Sequence, residues 1–225
     1  DNLWGSANLR DRGSSIAWWY MYLYSAGGFP FTDDMEPNID NDEGIYATQT
    51  YLNVKSASHP EAAGWGTPQM IPRIINGNAF SCQYWDGIIA LAENPDKSKT
   101  AGKWSYGPVP GSKHSGKLIK RSVSTPVVSM LINRHSPRKA AAAYLAAYLA
   151  TSENSARIYL TGLLEFETEL KRNISEAYAG DKTAEAVVKD TTDAWARSVR
   201  RIGKRRLREE LATYKSLFPS VDVPS

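Results

Sequence analysis

Four carboxylates crowd one short stretch of this chain: Asp33, Asp34, Glu36 and Asp40. Paired carboxylates are the equipment of glycoside hydrolysis, one group giving a proton while the other acts as base or nucleophile. Such a pair normally comes from separate, rigid strand ends, and these four are loop neighbours. A solvated acidic loop leading into a helix is the simpler reading. Ser122, Ser124 and Thr125 offer hydroxyls, but no Gly-x-Ser-x-Gly elbow surrounds them, which argues against a nucleophilic serine. Hydroxyl contacts to a ligand and ordinary strand-start chemistry both remain open for them. The third cluster is Tyr84-Trp85-Asp86-Gly87. It follows Asn76-Gly77, a turn signal, and a short run of small and apolar residues that reads as a buried strand. Two aromatic faces and a carboxylate therefore stand where a strand meets its next loop, which is where open α/β sheets bind ligands. Flat apolar faces beside polar groups suit sugars, whose rings carry C–H patches among hydroxyls.

Other chemistries have little support. His59, His114 and His135 are scattered without metal-ligand spacing, and no Cys/His cluster suits zinc. The single cysteine, Cys82, excludes an internal disulfide and reads as a packed small hydrophobe. Gly27-Gly28 follows a helix pattern and is no dinucleotide fingerprint; it reads as a helix stop that lets backbone approach a cleft. The run from Arg197 to Arg208 is strongly basic, but no aromatic interleaves with it to stack bases, and Glu209 and Glu210 follow it. A solvated basic helix face is the preferred reading over a nucleic-acid patch. The net charge of +3 makes no global case for nucleic acid or a membrane surface. No apolar run approaches the roughly 20 residues of a membrane span. The chain starts at Asp1 with no initiator Met and no leader, which reads as a processed product or a fragment.

With 225 residues, 42% of them hydrophobic, the chain can bury a sizeable core in one large or two small domains. Seven Trp and twelve Tyr against five Phe favour side chains with an apolar body and a polar handle. The elements that position the clusters follow from pattern. Residues 14–26 predict an aromatic helix stopped by Gly27-Gly28. A second helix starts at Asn41-Asp42-Glu43 and runs to about Lys55, its acids complementing the helix dipole. Residues 58–66 read as loop, and Thr67-Pro68 opens a third helix that stops at Asn76-Gly77. Residues 87–92 read as helical and 104–109 as a strand. A strand is expected at 127–132, and helices at 138–150, 165–179, 183–202 and onward to about 217. Strand–helix alternation followed by a helical last third indicates an α/β protein with an added helical layer.

Taken in order, these segments resemble the extracellular or periplasmic solute-binding proteins of ABC-type sugar importers, the maltose-binding-protein-like family. The resemblance rests on Trp18 to Gly28, Phe31-Thr32-Asp33-Asp34, Glu36-Pro37-Asn38-Ile39-Asp40, and the Asn76-Gly77 segment leading to Trp85. It continues through Gly107-Pro108-Val109-Pro110-Gly111, the helix from Ser136 to Leu149, and Ala177-Tyr178-Ala179-Gly180 with Trp195 and Gly203. No single motif is specific; the order and spacing over most of the chain carry it. The resemblance implies the two-lobe periplasmic-binding-protein-like α/β fold, here mainly the C-terminal lobe plus a small part of the N-terminal lobe. Residues 14–122 and 163–225 would belong to the C-terminal lobe, and 123–162 to the crossover and N-terminal lobe. The family has a further half of the N-terminal lobe, and a longer stretch where this chain passes from Thr161-Gly162 to Leu163-Leu164.

The resemblance also implies a function: a sugar captured between lobes by stacking and hydrogen bonds and delivered to ABC permease subunits. The protein would be a monomer, periplasmic or extracellular and peripheral to the membrane, with no catalysis, cofactor, metal or nucleic acid. Trp18, Trp19 and Trp85 match positions of sugar-facing aromatics. Tyr84 and Asp86 are their neighbours, Gly27 and Gly28 bring backbone to the cleft, and Ser122 and Thr125 match the start of the crossover. The alternative function is a carbohydrate hydrolase using Asp33, Asp34 or Asp86.

Overall fold

The computed structural model describes residues 3–120, 137–142 and 163–217. A strand β1, Trp4–Asn8, opens the chain and is followed by helix α1, Ser15–Ala26. Helix α2, Asp42–Asn53, starts where Asn41 accepts a hydrogen bond from the Gly44 N–H through its side chain at 2.9 Å. Short 3-10 turns at Val54–Ala57 and Pro60–Gly64 lead to α3, Thr67–Ile75. Strand β2, Ala79–Gln83, and the short helix α4, Ile89–Ala92, come next. Three long helices close the chain: α5, Leu163–Ala179; α6, Ala184–Ile202; and α7, Lys204–Leu217.

The two strands pair in parallel, with Trp4 opposite Ala79 and Asn8 opposite Gln83. Parallel neighbours need a long connection, and everything from α1 to α3 supplies it. On one side α1 packs on α2 and α5, and α2 packs on α6. The core between them is aromatic. Phe31 stacks on Trp195 at 4.8 Å between ring centroids and meets Phe166 edge-on at 5.0 Å. The Trp195 indole N–H donates to the Phe166 carbonyl at 2.8 Å, so the polar handle is satisfied inside the core.

Several expectations need correcting. Residues 104–109 form no strand; the segment is irregular and is anchored by Trp104, whose indole N–H donates to Thr100 Oγ1 at 2.8 Å. Strand β2 is not buried throughout: Ala79 faces the core, whereas Phe80 is 78% exposed. Residues 60–64 are a 3-10 turn rather than plain loop, and β1 had no counterpart in the sequence reading. The strand expected at 127–132 lies outside the described residues, as does most of the helix expected at 138–150. So do Ser122, Ser124 and Thr125.

Candidate functional site

Both parallel strands end at the same edge. β1 runs into the loop 9–14 and the first turn of α1, and β2 runs into Tyr84-Trp85 and a 3-10 turn opened by Asp86. The carboxyl ends of adjacent parallel strands, faced by helix starts, form the usual ligand crevice of an open α/β sheet. Five hydrogen bonds fix this edge. The backbone N–H groups of Arg10 and Asp11 both donate to the Trp65 carbonyl, at 3.0 and 3.1 Å, joining the loop after β1 to the approach to α3. The Asn8 side-chain oxygen accepts from the Gln83 N–H at 2.7 Å, and Tyr22 donates its hydroxyl proton to Gln83 Oε1 at 3.2 Å. The Tyr84 hydroxyl and Thr67 Oγ1 are hydrogen-bonded at 3.1 Å, which pins Tyr84 to the first turn of α3.

Three expected residues come together here. Trp18 lies against Trp85 with centroids 5.3 Å apart and planes tilted by 48°. Tyr84 meets Trp85 edge-on at 4.8 Å. Trp18 is buried, Trp85 and Tyr84 are half-buried, so Trp18 backs the wall and the other two supply its accessible faces. The Trp18 indole N–H has no hydrogen-bond partner, nor do Ser15 Oγ at the start of α1 and Asp11 Oδ1 in the loop before it. A donor, a hydroxyl and a carboxylate oxygen on the strand edge that carries the aromatic wall are groups of the kind a polyhydroxy ligand bonds. Asp86 directly follows Trp85 at the head of its turn.

Other expected residues are placed elsewhere. Trp19 has no exposed surface, and its indole N–H donates to Thr48 Oγ1 at 3.0 Å. One residue along a helix turns the side chain by about 100°, which carries Trp19 from the Trp85 side into the α1–α2 interface. It is a core residue, not a sugar-facing one. Gly27 and Gly28 terminate α1 at its far end, about 14 Å along the axis from Trp18 at 1.5 Å per residue. Gly27 is left-handed with φ 97°; its N–H and that of Gly28 bond back to the Tyr24 and Leu23 carbonyls, at 3.2 and 3.0 Å. This is a helix-closing motif. A side chain on Gly27 would meet Ser115 and Ile119, and one on Gly28 would meet Leu23 and Glu43. The two glycines therefore stand apart from the Trp18–Trp85 wall.

The acidic loop has a different employment. Asp34 pairs with Arg208, and Glu36 with Lys204, so the loop is strapped to α7. Arg201 pairs with Glu165 and Arg206 with Glu210, the latter at 3.0 Å. Much of the basic run and two of the loop acids are each other's partners or are matched within the helical layer, on an exposed surface. That arrangement gives neither a glycosidase pair nor a bare basic patch. Cys82 is half-buried beside the core, and burial pushes its thiol pKa up, away from reactivity. Among the described residues no group of three or more His, Cys, Asp or Glu side chains is gathered to hold a metal. Nor is any described helix long and apolar enough to cross a membrane.

Sequence reasoning did not find Asp11, Ser15 or Thr67 at this edge. The signal available was the charged triplet Arg10-Asp11-Arg12 directly before the aromatic helix, which gains meaning only once β1 is seen.

The comparisons agree with this architecture. Residues 6–156 match the family described as bacterial extracellular solute-binding protein, and the chain belongs to that family. No curated relative matches by sequence. Among solved structures, the chain is similar to an ABC transporter solute-binding protein from Agrobacterium vitis S4 with bound D-mannitol. That likeness has 15% identity and a TM-score of 0.69, covering 90% of this chain and 62% of that one. The maltose-bound MalE3 of T. maritima aligns at 17% identity and a TM-score of 0.67, over 86% of this chain and 60% of that one. A ribitol complex of a solute-binding protein from Agrobacterium radiobacter K84 aligns at 14% identity with a TM-score of 0.66, over 87% and 60% of the two chains. The fold is thus that of periplasmic binding proteins, and the chain spans about three-fifths of the length of these structures.

Proposed function

We propose that this chain is part of a carbohydrate- or polyol-binding protein that captures its ligand between two lobes and hands it to an ABC permease, without turnover. The observation that carries this reading is the Trp18–Trp85–Tyr84 wall at the carboxyl ends of two parallel strands, next to unpartnered polar atoms of Asp11, Ser15 and Trp18. Trp85 supplies the stacking face, Tyr84 its edge, and Asp11, Ser15 and Asp86 receive or give hydroxyl hydrogen bonds. Ser122 and Thr125 act where the chain crosses to the other lobe. Residues 14–122 and 163–225 make up the C-terminal lobe, and residues 123–162 the crossover and a piece of the N-terminal lobe. Closure follows because the liganded form gains contacts between lobes that the open form lacks. Support comes from the family membership and from structures of the same fold that hold mannitol, ribitol and maltose. A periplasmic or extracellular location and a monomeric state belong to the same proposal.

The test is calorimetry on the full-length protein across a panel of polyols, hexoses and disaccharides. A saturable heat with Kd in the micromolar range or tighter, with no product formed on prolonged incubation, is the expected result. No heat with any member of the panel overturns the carbohydrate assignment.

A further inference from the structure

Arg10 directly follows the strand end that carries the site, yet its side chain turns inward. It is 2% exposed, and its Nε, Nη1 and Nη2 atoms make no well-aligned hydrogen bond, although the Tyr22 and Tyr51 hydroxyls lie within reach of the guanidinium. No ion pair among the described residues includes it. The guanidinium lies over the Tyr51 ring at 4.1 Å and 5.9 Å from the Tyr178 ring. Lys55 approaches the same Tyr178 ring at 5.6 Å and donates to the Tyr178 carbonyl at 2.7 Å. The Tyr178 hydroxyl is buried without a partner, and the Tyr51 hydroxyl has no well-aligned one beyond its approach to the guanidinium. Two cations and two buried hydroxyls thus surround one pair of rings 5.9 Å apart, and among the described residues no carboxylate pairs with either cation.

An aromatic face and the nearby Tyr22 and Tyr51 hydroxyls offset part of a guanidinium's desolvation, but they leave most of its five N–H donors and all of its charge unmatched. Arg keeps its charge at any ordinary pH, so neutralisation is no escape. Tyr51 gives none either: its pKa is pushed up to about 12, burial outweighing the pull of Arg10, and it stays a neutral hydroxyl. A buried water would satisfy some donors and none of the charge. A small anion would do both.

We propose that Arg10, Tyr51 and Tyr178 form an internal site for a small monovalent anion of halide size, behind the ligand wall and distinct from it. The anion accepts from the Arg10 guanidinium and the two hydroxyls, with Lys55 adding to the field. Its place is structural: it holds the end of β1 against α2 and α5, and so sets the loop that carries Asp11.

The test uses the full-length protein in two ways. Melting temperature is followed against bromide at constant ionic strength, with gluconate as the balancing anion. The expected trace climbs with the logarithm of bromide concentration once Kd is passed, by about 5 °C at a hundredfold excess over Kd. Arg10→Met removes the rise; Tyr178→Phe keeps the ring and weakens the response if the Arg10 variant does not fold. Crystals grown in bromide should show an anomalous peak in hydrogen-bonding contact with the guanidinium. A flat trace in the unaltered protein overturns the proposal. So does water, or a carboxylate from elsewhere in the full-length chain, in place of the peak.

Discussion

Replacing Trp85 by alanine separates the binding wall from the core behind it. Trp85 is half-buried, resting on Trp18 at 5.3 Å and Tyr84 at 4.8 Å, so removal trims an edge of the packing. Losing those contacts costs about 1–2 kcal/mol of stability. For the ligand, one indole face laid on a sugar or polyol removes roughly 80 Å² of apolar surface from water, worth about 2 kcal/mol at 25 cal/mol per Å². That converts to about a 30-fold rise in Kd. The control is Trp19→Phe, one residue from Trp18 on α1. It deletes an indole N–H that reaches Thr48 at 3.0 Å and leaves a small void in the core. The expected cost is about 1–3 kcal/mol of stability with Kd unchanged within twofold. Calorimetry gives Kd, and thermal melts of the same samples give stability. A Trp85→Ala protein that melts normally and binds every ligand with unaltered Kd refutes the site. So does a Trp19→Phe protein whose affinity falls while its melting temperature holds.

Gly44→Ala should leave little folded protein by circular dichroism, because the added carbon would sit 1.9 Å from the Ile39 carbonyl oxygen, a backbone atom that cannot swing away. The double replacement Asp34→Asn, Glu36→Gln removes the strap to α7; each exposed pair is worth about 0–1 kcal/mol, so melting should shift only slightly and ligand affinity should stay put. Glu93 accepts from the Tyr106 hydroxyl and from the Gly102 N–H, which hold its pKa below the ordinary value. A depressed carboxyl contributes stability that is complete above the unfolded pKa of about 4.3 and is lost as pH falls through the folded one. Amide exchange at residues 102–106 should therefore rise on acidification below pH 5 in the native protein and be insensitive to pH, apart from intrinsic chemistry, in Glu93→Gln.

Local signals in the sequence were strong where backbone chemistry decides the outcome. Asn41 before two acids marks the start of α2, Thr67-Pro68 marks α3, and Gly27-Gly28 closes α1, as observed. They failed where the deciding partner is distant. β1 has little strand propensity, with Gly5, Ser6 and Asn8 in five residues, and it exists because β2 lies alongside it. Residues 104–109 have strand-like aromatic and branched residues but no neighbour to pair with among the described residues, and Glu93 and Thr100 bind their side chains instead. Trp18 and Trp19 are alike by type and adjacent in sequence. Only the direction of the α1–α2 interface tells the wall residue from the core residue.

The abundance of Tyr and Trp thus resolves into two populations, and their polar handles help to tell them apart. Core indoles are satisfied from within: Trp19 by Thr48, Trp195 by the Phe166 carbonyl. Trp18 is buried with its N–H unmatched, at the strand edge where Ser15 and Asp11 also hold unmatched polar atoms. A buried donor left unpaired costs about 1–3 kcal/mol, so a cluster of them is retained more readily where a ligand completes the bonds. The sign is not sufficient alone. The Trp4 indole N–H is unmatched as well, and Trp4 sits at the other end of β1 against His59, with ring centroids 5.0 Å apart. The unmatched groups acquire functional meaning when they coincide with the carboxyl ends of parallel strands and an accessible aromatic face. Within the described residues that coincidence occurs at Trp85, which makes Trp85 the residue on which the binding proposal stands or falls.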